Sequence, residues 1–308
     1  MESKRTRCAA TCSLVLIFSL ALGCAHPSAY KAPVGKFRDA SAVVIESAKT
    51  YLTELNKTER DIFIQGQASR PAQMKLADIE EHQVFSKEAI AARLNALDTL
   101  ANYTDLLNQL ANSDSPDQLK TKAADLQTAL TGLSGQVSKL TGTDNTQFKS
   151  VAGRVLPVIG DVLQAFAEKK IEDALKKAID TGAAPVNELI QAIEVDISVA
   201  FERKKNEFSQ LRLVPIDQYN EDLKGADRAK LQADANAISA AEDRWDSFLN
   251  ANPKDGLEAM KRANDALVKL ARTPKPKITD FASFVDTVES FAAIANRVGN
   301  AVHELTGK

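Results

Sequence analysis

Few side chains in this chain are of a type and spacing that could do chemistry. There are three histidines, His26, His82 and His303. A helical zinc site needs two of them four apart, so that both rings meet on one face, and no such pair exists. A di-metal carboxylate bundle needs Glu-x-x-His on core-facing helices, and no histidine here follows a glutamate at that spacing. A calcium loop of the Asp-x-Asp-x-Asp-Gly kind is absent as well. Gly132-Leu133-Ser134-Gly135 lacks the G-x-S-x-G spacing of a nucleophile elbow. Neither a P-loop nor G-x-G-x-x-G is present. The carboxylates sit among lysines and arginines, as in Glu168-Lys169-Lys170-Ile171-Glu172-Asp173, the pattern of a solvated helix face with i,i+4 pairs. No catalytic, metal or cofactor-binding set is predicted, and the chain reads as a non-enzyme.

The cysteines are the exception. Cys8, Cys12 and Cys24 are the only three, and none follows Cys24. The stretch that holds them starts with Lys4-Arg5-Thr6-Arg7, continues through an uncharged apolar segment, and ends at Leu20-Ala21-Leu22-Gly23-Cys24. A basic region, an apolar region and small residues at a cleavage point make a secretory signal. Residues 8–23 fall short of the ~20 needed to span a bilayer as a helix.

With a cysteine at the cleavage point, Met1–Cys24 resembles the signal peptide of bacterial lipoproteins. Ala21 stands where that pattern most often has leucine. The resemblance implies lipid transfer to Cys24, cleavage between Gly23 and Cys24, and acylation of the new amino terminus. Ala25 after the cysteine implies passage to the outer membrane, facing the periplasm. The resemblance covers these residues alone; no family is recognised in the remainder.

The composition suits packed helices: 44% hydrophobic, 26% charged and only 6% aromatic. The formal charge is −2, and removing Met1–Gly23 makes the rest slightly more acidic. Nucleic acid is therefore not an expected partner, since it selects clustered Lys and Arg.

Residues 24–36 carry Pro27, Pro33 and Gly35 and read as an acylated tether. From Phe37 the spacing is helical throughout, with no alternating run long enough for a strand. The first helix is expected over 37–68, with Asp39 or Ser41 as its cap, and Pro71 after it. A short segment over 72–83 precedes a helix from Lys87 to Ala111, capped by Ser86. Its stripes are Ile90, Leu94, Leu97 and Ala96, Leu100, Tyr103, Leu107, Leu110. Leu119, Ala123, Leu126, Leu130, Leu133, Val137 and Leu140 keep a 3.5-residue period, the heptad of a coiled coil. A helix over 145–180 should kink or split at Pro157. A break is expected at Thr181–Pro185, then a helix to Leu211, with Pro215 closing that region. Three more follow, around Leu231–Phe248, over 254–271, and over Phe281–Leu305 with heptad spacing. The expected fold is all-α: an elongated antiparallel bundle of long helices over 37–308 with coiled-coil-like heptad packing, subdivided near 215–225 if anywhere.

The expected function is a membrane-anchored, periplasm-facing lipoprotein that scaffolds or binds an envelope protein, or associates with itself. Self-association would use an apolar stripe on 119–140 or 281–305. One alternative is a membrane-acting helical protein, pore-forming or remodelling, through Val151–Ala167. Arg154 and Asp161 interrupt that segment, each costing about 2.5–3.5 kcal/mol at a bilayer centre. A second alternative is a ligand carrier or enzyme with an unrecognised site. Arg203-Lys204-Lys205 reads as a solvated face, and Trp245 with Phe248 as core.

Overall fold

Helix α1 (Ser28–Ser69) is the axis about which the other helices are arranged, and its 42 residues make a rod of ~63 Å. The computed structural model describes residues 28–69, 73–112, 146–164, 171–225 and 227–306, with scattered positions between 121 and 139. The other elements are α2 (Leu76–Glu81), α3 (Lys87–Asn112), α4 (Thr146–Gln164), α5 (Ile171–Gln210), α6 (Leu213–Asp222), α7 (Arg228–Asn250), α8 (Lys254–Arg272) and α9 (Ile278–Thr306). The fold is all-α, without a strand among the described residues.

Helix α1 begins nine residues before the expected Phe37, so residues 28–36 of the expected tether are helical. Pro33 lies inside the helix and removes a backbone donor there. Burial outweighs that loss: Tyr30, Val34 and Phe37 are fully buried. Tyr30 meets Phe281 edge-on at 5.3 Å, and Phe37 meets Phe291 at 6.0 Å. Ser41 is buried in mid-helix, so neither it nor Asp39 caps α1.

Side-chain pairs give the directions. Helix α9 is parallel to α1, pairing Lys36 with Glu289 at 2.7 Å and placing Gly299 under Val43. Helix α3 is antiparallel to α1, because Gly35 lies beside Asn108 while Asn56 bonds the backbone of Phe85 at the other end. Helix α5 is antiparallel to α3, with Gly182 against Tyr103 and Asp196 against Arg93. Helix α8 is antiparallel to α5, through Arg272–Asp180 and Lys261–Gln191, and antiparallel to α9, through Asp255–Arg297. The bundle thus has two ends. The starts of α1, α5 and α9 share a basal end with the close of α3 and α8. The close of α1 and α5 and the α6–α7 hairpin form the distal end.

The break expected at Thr181–Pro185 is not observed, and the helix expected to kink or split at Pro157 is not split there. Helix α5 runs through Thr181–Pro185, because Ala178, Ile179, Ala183, Val186 and Leu189 keep one buried face across it. Helix α4 runs through Pro157. Pro215 lies in the first turn of α6 rather than closing a region; backbone donors there have no intrahelical partner to lose. The apolar stripe of α9 is consumed within the chain: Phe284, Val288, Phe291, Ala295, Val298 and Val302 are buried. It offers no open surface for self-association. The heptad over 119–140 lies mostly outside the described residues; Val137, which is described, is buried.

Candidate functional site

Gly23, Cys24 and His26 lie outside the described residues. His82 is exposed, stacked on Phe63 with ring centroids 3.6 Å apart, and its Nδ1 lies 2.5 Å from the Asp78 carbonyl oxygen. His303 is exposed near the end of α9. The two are thus placed on separate elements. Among the described residues no group of three or more His, Cys, Asp or Glu is arranged to hold a metal. No described helix is long and apolar enough to cross a membrane; in the 151–167 segment, Ala152, Val155 and Leu156 are buried in the bundle.

The site that the fold does build lies at the distal end. Asp227 caps α7 by accepting from the backbone N–H groups of Ala229 and Lys230. Helix α7 then runs back toward the bundle and is seated at its carboxy-terminal end. There Phe248 stacks on Tyr51 at 5.2 Å and leans on Phe201 at 5.6 Å, while Arg244 reaches Asp61 at 3.3 Å. Helix α6 has no buried residue, and Phe248 is the one buried residue of α7. The hairpin is therefore seated by its base, and none of its other described positions is fully buried.

Between α6 and α7 lies a cleft of about 440 Å³, within the range that binding pockets occupy. Val214 and Pro215 form one wall, Ala237, Ala240 and Ala241 the floor, and Trp245 the inner wall. The alanines let a visiting side chain approach the α7 backbone. Lining positions from Asp234 to Phe248 extend ~21 Å along α7. Arg212 grips Glu242 with two nitrogens, Nε–Oε1 at 2.8 Å and a terminal nitrogen at 2.6 Å, and its guanidinium sits 5.8 Å from the Trp245 ring. That fork fixes the rim. At the hairpin's tip, Asp234 is half-buried, and its Oδ2 has no hydrogen-bond partner among the described residues. Burial, followed by the nearby Asp222 carboxylate, raises its carboxyl above the usual aspartate range; Lys230 opposes this. Asp222 accepts from Gln218 at 2.9 Å and lies 3.8 Å from Lys230 Nζ.

Trp245 is half-buried, packed against the core beside Phe248 as expected, and it also walls the cleft. Helix α6 was not expected at all. Its signal was Leu213 and Val214, apolar residues left about half exposed beside a helix-starting proline. Of the basic cluster, Arg203 is exposed and Lys205 lies over the Phe201 ring at 5.7 Å.

A second groove, of about 570 Å³, lies between α4 and α5, lined by Val151, Arg154, Val155, Pro185 and Glu188. It has no aromatic wall among the described residues. The ion pair of Arg93 with Asp196 is sealed in the core. No protein family, no curated protein and no solved structure matches this chain, so its own residues carry the functional reading.

Proposed function

We propose that this protein is a lipid-anchored lipoprotein of the outer membrane, facing the periplasm, and that its bundle is a non-enzymatic post that binds an envelope protein. The observation that carries the reading is the separation of the two ends. The distal cleft includes Thr58 of α1, thirty residues along a continuous helix from Ser28, or ~45 Å from the end nearest Cys24. The cleft has the make-up of an interaction surface, an aromatic and small aliphatic floor inside a charged rim. A helical post of this length would present that surface well clear of the membrane.

The test is a photo-crosslinking side chain at Val214, with a matched one at Arg154 on the flank, in intact cells. A discrete envelope protein crosslinked from position 214 and not from 154 is expected. Loss of that adduct in Trp245→Ala, with the protein still anchored, completes the result. No adduct at 214 in correctly anchored protein overturns the proposal.

A further inference from the structure

We infer that the basal end of the bundle is a lipid-contact face, in which Ile278, just after Lys275 and Lys277, enters the bilayer interface. The inference rests on the proposal that Cys24 carries the lipid. Ile278 is 85% exposed, more than any other large hydrophobic residue among those described, and it is the first residue of α9. One turn further on, Phe281 packs on Tyr30, so Ile278 lies beside the start of α1. Ser28 follows Cys24 by four residues, which reach at most ~14 Å when fully extended. A lipid on Cys24 would therefore hold this end, and no other, against the membrane.

The charges around Ile278 favour an anionic lipid surface. Lys275 and Lys277 are exposed and make no ion pair among the described residues. Among the described residues, Asp280 accepts from the Lys277 backbone N–H at 2.7 Å, and Asp180 holds Arg272 at 2.5 Å. Pro274 and Pro276 border Lys275 in the connector between α8 and α9, restricting its backbone. An aliphatic side chain preceded by two exposed lysines, whose stems can lie along the interface while their ammonium groups meet phosphates, is the composition of an interfacial contact. A second contact beside the anchor would set the tilt of the post, where a lipid alone would leave it to swing.

The test uses the mature chain beginning at Cys24, its one cysteine, coupled through that thiol to a maleimide-headgroup lipid in phosphatidylcholine vesicles, with or without phosphatidylglycerol. Trp245 is the sole tryptophan, so Trp245→Phe with Ile278→Trp moves the only reporter to the basal end. Expected are a blue-shifted emission, quenching by lipids brominated near the headgroup, and a larger effect with phosphatidylglycerol that Lys275→Gln/Lys277→Gln removes. In the unsubstituted chain, Trp245 should stay unquenched, and amides of 275–281 should exchange more slowly on vesicles. Unquenched emission at 278 with unchanged exchange overturns the inference, and so does equal quenching of Trp245, which means that the bundle lies flat. Chemical coupling keeps this result independent of processing in cells, so failure of lipidation at Cys24 in vivo is a separate outcome.

Discussion

Arg93 and Asp196 are 103 positions apart and meet in the core with their side chains 1% and 2% exposed. Arg93 donates from Nε and a second nitrogen to the two carboxylate oxygens, and from its third to the Ala89 carbonyl at 2.8 Å. Its guanidinium plane lies 4.1 Å from the Phe85 ring and 5.1 Å from that of Phe148. One side chain thus ties the start of α3 to α4 and α5. Removing one partner leaves a buried charge uncompensated, which costs about 3–5 kcal/mol, whereas replacing both by apolar residues is often neutral. Asp196→Ala should therefore lower stability by that amount in urea unfolding, and Arg93→Met/Asp196→Leu should recover most of it.

Gly182 should resist a change that helices usually welcome. Replacing glycine by alanine inside a helix ordinarily gains about 0.5–1 kcal/mol. Here the new Cβ would stand 2.9 Å from a ring carbon of Tyr103, a side chain with 1% exposure. Overpacking of this kind costs about 1–3 kcal/mol, so Gly182→Ala should lower the melting temperature. Tyr103→Phe should be neutral or stabilising, since the buried hydroxyl has no hydrogen-bond partner among the described residues and gains nothing by being there.

The hairpin should firm up in mild acid. Burial and Asp222 raise the Asp234 carboxyl, so the folded hairpin binds its proton more tightly than the unfolded chain does. Stability then rises as pH falls from neutral toward that raised value, and falls again as pH rises through it. Asp234→Asn should flatten this dependence and slow amide exchange across α6 at neutral pH. Trp245 fluorescence against pH is the simplest reading of it; the same slope in both proteins would remove Asp234 as the cause.

Cys24→Ser should leave the bundle folded, with unchanged helical circular dichroism, but uncleaved and without lipid. Metabolic labelling with palmitate reads both points. A labelled mature band from this variant would contradict the proposed anchor.

The helices were legible where apolar spacing was long and uninterrupted. The 254–271 helix falls within one residue of α8, and the stripe assigned to 281–305 is the buried face of α9. The misjudged places are those where packing outweighs local preference. Residues around Pro33 read as tether and Thr181–Pro185 as a break, yet burial of Tyr30 and Val34, and of Ala183 and Val186, carries the helices through. Of the two stripes read on α3, Leu97 and the whole of Ala96, Leu100, Tyr103, Leu107, Leu110 are buried; Arg93 is hidden because at the helix start Ala89, Ala92 and Arg93 are buried where Ile90 and Leu94 are expected to be. The signal was a charge between Ala92 and Ala96, where two small residues leave room for a guanidinium. The cleft could not be read, because it depends on α6 folding back on α7, and ten residues with no buried position carry little pattern.

The parallel pairing of α1 with α9 also orders the making of the molecule. Lys36 and Glu289 are 253 positions apart, so the first described helix completes its packing against the last described one. Closing so long a loop is slow compared with forming local helix pairs. Until α9 arrives, Tyr30 and Phe37 lack the partners they have in Phe281 and Phe291. A chain truncated before Ile278 would leave α1 with an uncovered apolar flank. The start of α1, the first of the described helices to be made, is thus sealed only once the last of them is in place.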